Sequence, residues 1–421
     1  MDILKAKKIV IQAGKSLIKT GLIARTWGNV SYRINEEQYV ITPSGRAYET
    51  LTPDEIVTVN IEDCSYEGDV EPSSEKGVHS EVYKQRKDVN FVIHTHQPYA
   101  SAVSPLKIDI DILDPVAKAL IGNKAVSVPY GLSGTKKLRN NVARAISQSK
   151  GKAYLMVSHG ALCLGKDSDE AFRVAALLEQ VCADFINRRY LELSGKENVD
   201  PEELRDFFVK EQVGGGTSEG AIGIFNKYYN SERINSGFKL YLDPTEENPF
   251  SEGSGRMLKI SLDKASPETR GEKLSPGAEI HRAIYLRFEE VQAVIHAVSP
   301  DIFTVSQTGK TVYPLLDDFA QIIGTSVRSI DTGPLGDPDR VASGISRKMK
   351  GRSSVMIKDN GALCSGPTKS DAAAAGMIME KNCKAVIVSG LFGQGKPINT
   401  LECMLMRYIY LKRYSKKATL K

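Results

Sequence analysis

The sequence predicts an α/β fold that is built twice. Three observations carry this. Short β-branched and aromatic runs alternate along the chain with amphipathic segments of helical period. At 421 residues the chain is too long for one ordinary hydrophobic core and suits two domains of about 200 residues each. The pattern Val78-His79-Ser80-Glu81-Val82-Tyr83 also returns as Ile280-His281-Arg282-Ala283-Ile284-Tyr285, His94 returns as His296, and Gly160-Ala161-Leu162-Cys163 returns as Gly361-Ala362-Leu363-Cys364. A repeat at a spacing of about 200 residues is a duplicated domain and not a short solenoid unit.

In the first half, Ile3, Leu4, Ile9, Val10, Ala13, Leu17 and Ile18 stand near helical spacing with lysines between them, and Gly21 can close the helix. Thr26–Arg33 and Gln38–Gly45 read as two short strands ending on glycine-containing turns. Such turns, here Gly28-Asn29 and Ser44-Gly45, offer backbone N–H groups and small polar side chains suited to an anion. After a strand-like run at Ile56–Ile61, Ser73 and Ser74 stand at an expected helix start. There they can cap the helix or hold a phosphate, with Glu75 in the first turn. His79 lies four residues on, along the same face, and reads as a packing residue rather than a ligand.

Phe91-Val92-Ile93 reads as a buried strand that carries His94-Thr95-His96, and residues i and i+2 of a strand project together. Two imidazoles on one face are half of a metal site; Glu75 and His159 are the candidates to complete it. Further on, 112–121 reads as a helix, Val126–Pro129 as a strand and Thr135–Ile146 as a helix. Ala153–Val157 reads as a strand delivering His159, and Gly160–Gly165 as a turn into a helix over 168–190.

Composition narrows the function classes. The chain has 56 basic and 51 acidic residues, and its basic clusters, at Lys5–Lys8 and Lys412–Lys417, read as solvated helix faces, so no nucleic-acid partner is expected. Hydrophobic content of 41% and charged content of 25% are ordinary for a soluble globular protein. The N-terminal residues form no apolar leader and no stretch approaches a membrane span, so a cytoplasmic protein without a membrane partner is expected. Six cysteines stand singly in apolar segments, which suits reduced core thiols.

Taken together, Gly28-Asn29-Val30-Ser31, Thr42-Pro43-Ser44-Gly45, Pro72-Ser73-Ser74-Glu75, His94-Thr95-His96 and Ser158-His159-Gly160 resemble the class II aldolase/adducin family, most nearly its fuculose-phosphate aldolase and ribulose-phosphate 4-epimerase branch. The resemblance covers about residues 5 to 190. It implies a three-layer α/β/α fold with a largely antiparallel central sheet. It also implies a divalent metal, usually zinc, on His94, His96 and His159, with Glu75 as acid/base. A phosphate cradle would come from Gly28, Asn29, Ser44, Gly45, Ser73 and Ser74. The implied substrate is a phosphorylated ketose such as a fuculose 1-phosphate, cleaved to dihydroxyacetone phosphate and an aldehyde, in a homo-oligomer with sites near subunit contacts. A pentulose-phosphate 4-epimerase, a sugar-phosphate dehydratase and a non-catalytic adducin-like interaction module share the resemblance. Where aldolases of the family carry a tyrosine from a neighbouring subunit, this chain has Ile112-Leu113-Asp114-Pro115, so Asp111 or Asp114 is left as the candidate donor.

The expected domains are 1–195, active; 196–216, a linker containing a polar helix at Pro201–Gln212; and 217–421, a second copy that has lost its chemistry. In that copy Glu75 becomes Gly277, His96 becomes Val298 and His159 becomes Asn360, and no clear counterpart of Gly28-Asn29 or Ser44-Gly45 precedes Leu274.

Overall fold

Asp2 accepts the Lys5 N–H at 2.8 Å and so starts α1 (Ile3–Lys19), which buries Ala6, Val10, Ile11, Ala13 and Leu17. In the computed structural model the described residues are 2–23, 27–213, 229–242, 249–250, 257–263, 274–331 and 338–414. The chain divides into two compact units. One is Met1–Asn198 with Leu391–Lys396 and Ile409–Lys421; the other is Val199–Gly390 with Pro397–Tyr408.

In the first unit β1 (Asn29–Arg33), β2 (Gln38–Ile41) and β3 (Val57–Asn60) form an antiparallel meander. There follow α2 (Lys76–Gln85), β4 (Phe91–Thr95), α3 (Pro98–Val103), β5 (Ile110–Asp111), α4 (Pro115–Ile121), β6 (Lys124–Val128), α5 (Lys136–Gln148), β7 (Ala153–Met156), β8 (Gly160–Gly165) and α6 (Ser168–Ser194). The strands make one sheet in the order β3-β2-β1-β4-β8-β7-β6-β5, antiparallel throughout except at β6–β7. One face of the pleat, with Tyr39, Val59, Val92, Tyr154 and Leu162, packs on Val78, Val82 and Tyr83 of α2 and on Leu138, Val142 and Ile146 of α5. The alternate residues Phe91, Ile93, Ala161 and Cys163 are equally buried, and α1 and α6 cover that other face. The result is the three-layer arrangement.

Three expectations need correction. Gly160–Gly165 does not turn away: it is β8, a wholly buried strand between β7 and β4. A strand buried on both faces shows no alternation, so a short apolar run flanked by glycines reads ambiguously. Ser73 and Ser74 do not cap α2. Glu75 is itself the N-cap residue, at φ −98° and ψ 11°, and the Ser73 hydroxyl accepts the Glu75 N–H at 3.3 Å. The helix read at 112–121 starts only at Pro115, where Asp114 caps it by accepting the Ala117 N–H at 2.7 Å.

From Val199 on, the elements are α7 (Pro201–Val213), β9 (Tyr229–Ile234), β10 (Gly237–Leu242), β11 (Met257–Ser261), α8 (Pro276–Arg287), β12 (Ala293–Ala297), α9 (Pro300–Gln307), α10 (Asp317–Ile322), β13 (Ser329–Ile330), α11 (Pro338–Met349), β14 (Ser354–Ile357), β15 (Ala362–Gly366), α12 (Lys369–Phe392) and α13 (Thr400–Ile409). Among the described residues their sheet runs β11-β10-β9-β12-β15-β14-β13, the order of the first sheet without its last strand. Phe238, Leu240, Val294 and Leu363 pack on Ile280, Ile284 and Tyr285 of α8 and on Ile345 of α11.

The copies agree in detail. Arg33 donates to the carbonyls of Tyr83 (2.7 Å), Arg86 (3.0 Å) and Val89 (3.1 Å), and its guanidinium sits 4.7 Å from the Tyr83 ring centre. Arg233 does the same for Tyr285, Phe288 and Val291, at 2.6, 3.0 and 2.9 Å. Each arginine satisfies carbonyls at a helix end that would cost about 1–3 kcal/mol apiece if buried unpaired. The first strand has a structural counterpart before Leu274, although its asparagine does not: Ser231 and Arg233 of β9 stand where Ser31 and Arg33 stand in β1, which sets Tyr229 at the place of Asn29. Position 228, opposite Gly28, lies outside the described residues.

Candidate functional site

β4 ends where α2 begins to cover the sheet, and this brings His94 under Glu75. His94 Nδ1 donates to the Ala161 carbonyl at 2.9 Å, which leaves Nε2 with its lone pair facing outward from the strand. His159 stands in the turn between β7 and β8, where Ser158 takes the left-handed conformation at φ 59°. A non-glycine residue there costs about 1–3 kcal/mol, and the second copy repeats the feature at Asp359, φ 58°.

The three imidazoles converge. His94 Nε2 lies 2.9 Å from His96 Nε2 and 2.9 Å from His159 Nε2, and the donor atoms of the three fall within 4.8 Å of one another. Among the described residues this is the group of His, Cys, Asp and Glu side chains placed to share one ion. With Nδ1 donating, His94 Nε2 carries a lone pair that faces both other rings and, at 3.3 Å, the acceptor Oε2 of Glu75, so this donor set suits a cation. It is also the three-ligand set of a site that keeps open positions.

Glu75 adjoins them, with Oε1 3.0 Å from His159 Nε2 and Oε2 3.3 Å from His94 Nε2. Asn29 Nδ2 donates to Oε2 at 2.9 Å and Ser133 Oγ to Oε1 at 3.1 Å. Burial alone would raise the Glu75 pKa, but His94, His159 and the hydrogen bonds outweigh it and hold the carboxyl well below its usual range. Burial likewise drives His94 well below its ordinary pKa, with Glu75 pulling the other way. The site thus sets a buried carboxylate directly against imidazole nitrogens.

The anion-binding candidates fall in two places. Gly28 and Asn29 enter β1 beside His94; Gly28 has φ +136°, and a Cβ there would stand 2.7 Å from the His94 carbonyl, so only glycine fits. Ser44 and Gly45 follow β2, where Ser44 N donates to Glu71 O (2.9 Å) and Ser73 N to Thr42 O (3.0 Å), so that the two segments run side by side. Ser73 is buried, whereas Ser74 is exposed and lines a cavity of ≈ 160 Å³ together with Glu75, Lys76, Gly77, Gly134, Lys136 and Arg139. Asp114 is accounted for as the cap of α4. Asp111 is exposed and pairs with Lys124 at 3.4 Å.

Ser133 was not anticipated, nor were Lys136 and Arg139 beside the cavity. Ser133 lies in the irregular stretch Pro129–Gly134, where turn residues carry no pattern of chemistry. Arg139 was visible only as a helical charge; it is held by Glu81 at 2.6 Å. Among the described residues of the second unit no such cluster forms: His296 Nε2 donates to the Asn360 carbonyl at 2.6 Å, and Gly277 stands where Glu75 does. All six cysteines are free thiols, and no described helix is long and apolar enough to cross a membrane.

The chain is similar to known proteins. The family model described as "Class II Aldolase and Adducin N-terminal domain" matches residues 8–186 and again 251–387, together more than half of the chain. A curated relative, the 5-deoxy-D-ribulose 1-phosphate aldolase of Bacillus thuringiensis serovar kurstaki, is 29% identical over 213 residues, which is 50% of this chain and 97% of that protein. Among solved structures, an L-fuculose 1-phosphate aldolase is 29% identical, covering 47% of this chain and 92% of that one at a TM-score of 0.42. The L-fuculose-1-phosphate aldolase of Thermus thermophilus is 25% identical, covering 46% of this chain and 99% of that one, at a TM-score of 0.40.

Proposed function

The chain belongs to the class II aldolase and adducin family, and we propose that it is a metal-dependent lyase that cleaves a ketose 1-phosphate to dihydroxyacetone phosphate and an aldehyde. One observation carries this reading: three imidazole Nε2 atoms converge beside a buried, ionised carboxylate. The names of the relatives support the substrate class. In this reading His94, His96 and His159 hold the metal, zinc by preference for three nitrogens with open positions. Glu75 is the acid/base, and Gly28, Asn29, Ser44, Gly45, Ser73 and Ser74 receive the substrate and its phosphate.

When bound, the cation supplies charge that polarises a ketose carbonyl and its adjacent hydroxyl. The remaining work belongs to the chain. Glu75 takes the proton of the hydroxyl on the far carbon of the breaking C–C bond, which becomes the aldehyde, and returns it to the carbon next to the carbonyl, which keeps the bonding electrons. Its depressed pKa makes it a weak base at rest. Substrate oxygens entering between Glu75 and the histidines remove the contacts that depress it, and the carboxylate becomes basic where the proton is released. Asn29 and Ser133 hold it in line meanwhile.

We assign this chemistry to a domain of residues 1–195, joined through 196–216 to a metal-free copy over 217–421 that is kept for assembly or for shaping the site, with a cytoplasmic homo-oligomer as the working form. The experiment is a panel of ketose 1- and 5-phosphates offered to the zinc-loaded chain, following dihydroxyacetone phosphate release and epimer formation together. Release of dihydroxyacetone phosphate from a 1-phosphate is expected; epimer formation alone contradicts the lyase assignment.

A further inference from the structure

We propose that His79 is a positioning residue, which fixes the side-chain amide of Asn29 so that its NH2 group, and not its oxygen, meets Glu75. This rests on the reading of Glu75 as the acid/base.

His79 is wholly buried in α2, and each of its ring nitrogens has one partner. Nδ1 lies 2.6 Å from Ser31 Oγ, which lies 2.7 Å from the Tyr83 hydroxyl, and Nε2 lies 2.5 Å from Asn29 Oδ1. Chemistry gives every link a direction. A carboxylate accepts only, so Asn29 must turn Nδ2 toward Glu75. Its oxygen then faces His79, so Nε2 carries the ring hydrogen. A buried neutral imidazole has one such hydrogen, so Nδ1 accepts from Ser31, whose oxygen in turn accepts from Tyr83. An asparagine flipped by half a turn would set its oxygen against the Glu75 carboxylate and its NH2 against the His79 N–H, which is unfavourable at both ends. His79 therefore selects one of two amide orientations at the atom next to the base.

The second copy separates the two sides of the ring. There Ser231 Oγ lies 2.6 Å from His281 Nδ1 and 2.8 Å from the Tyr285 hydroxyl, so the Tyr–Ser–His half is intact. Tyr229 has replaced Asn29 and Gly277 has replaced Glu75, and His281 Nε2, fully buried, has no hydrogen-bond partner among the described residues. The Nδ1 side belongs to the frame and survives without the site. The Nε2 side is engaged only in the copy that holds the asparagine and the glutamate.

Asparagine and glutamine each imitate one ring nitrogen, so H79N keeps the Ser31 side while H79Q keeps the donor to Asn29. Both should lower the melting temperature. H79N should lower kcat/KM by about tenfold or more, H79Q should recover most of that loss, and H79N should cost nothing further in an N29A background. Equal losses in H79N and H79Q that follow stability, additive with N29A, would overturn the proposal. A measurement that needs neither turnover nor a variant is the long-range 15N–1H correlation of His79 in the zinc-loaded chain. It should show the neutral Nε2–H tautomer, and an Nδ1–H tautomer would overturn the proposal even if H79N fails to fold. A chain with the Nε2–H tautomer, and with Asn29 amide exchange faster in H79N but not in H79Q, supports the positioning role; absence of lyase turnover in that chain sinks the functional reading alone.

Discussion

Gly160 opens β8 against β4, and replacing it with alanine tests whether that strand contact holds the metal site. A Cβ at Gly160 would stand 2.2 Å from the Thr95 carbonyl and 3.3 Å from His94 Cε1, where ordinary contact begins at 3.4 Å. The Thr95 oxygen is backbone, so the strands must separate by about 1 Å at a cost of about 1–3 kcal/mol. The same shift pulls on the Ala161 carbonyl that orients His94 and on the turn that carries His159. Metal–nitrogen distances tolerate only about 0.2 Å, so zinc affinity should fall by about tenfold or more. Gly361→Ala is the internal control: its Cβ would stand 2.4 Å from the Ala297 carbonyl, at φ +75°. It should destabilise by a comparable or larger amount, because the left-handed backbone adds about 1–2 kcal/mol, and leave zinc binding untouched. The assay is urea unfolding beside competitive zinc titration of both variants. Wild-type zinc affinity in G160A, or an affinity loss in G361A equal to that in G160A, would refute the reasoning.

H94A should lose bound metal and turnover together, whereas E75Q should keep the metal and lose turnover by about a hundredfold or more; near-normal rates in E75Q would remove Glu75 from the chemistry. Ser73→Ala with Ser74→Ala should raise KM for a phosphorylated ketose far more than for its unphosphorylated analogue, and equal effects would leave the serines a local structural role only. The second copy should be acid-sensitive. Burial, aided by His296, lowers the His281 pKa to about 3, and burial lowers that of His296 to about 4. Both lie below the unfolded value, so their neutral forms stabilise the fold above about pH 6.5 and that stability is lost as the pH falls toward 4. At pH 5 each should have cost about 2 kcal/mol. Urea midpoints at pH 7 and pH 5 check this, and a difference that persists unchanged in H281Q would show that His281 is not responsible.

The sequence made some parts of the molecule legible and hid others for physical reasons. The pairing of His94 with His96 could be read because strand periodicity is strict, and Glu75 because its place at a helix start constrains it. β8 was hidden because both its faces are buried, and α3 because a single turn or two of helix begun by Pro98 leaves too few residues for a period to show. Ser133 reaches Glu75 from an irregular loop, and only the folded chain relates residues 58 positions apart. Arg33 carries no local pattern that marks it, yet it donates to the carbonyls of Tyr83 and Arg86 at the end of α2. The duplicate of β1 was missed because its position facing Glu75 had changed to Tyr229; what persisted, Ser231 and Arg233, belongs to the buried frame. Legibility thus followed local periodicity. Contacts made across the sheet, which complete the site, were visible only once folded.

The central claim is that one copy of a duplicated fold holds a single working cation and the other holds none. The most direct test is metal analysis of the full chain after chelation and zinc repletion, with dihydroxyacetone phosphate release from a ketose 1-phosphate measured at each zinc increment. The account predicts that binding saturates at one zinc per chain and that activity rises in proportion and stops there. Two tightly bound equivalents, or full activity in the chelated chain, would contradict it.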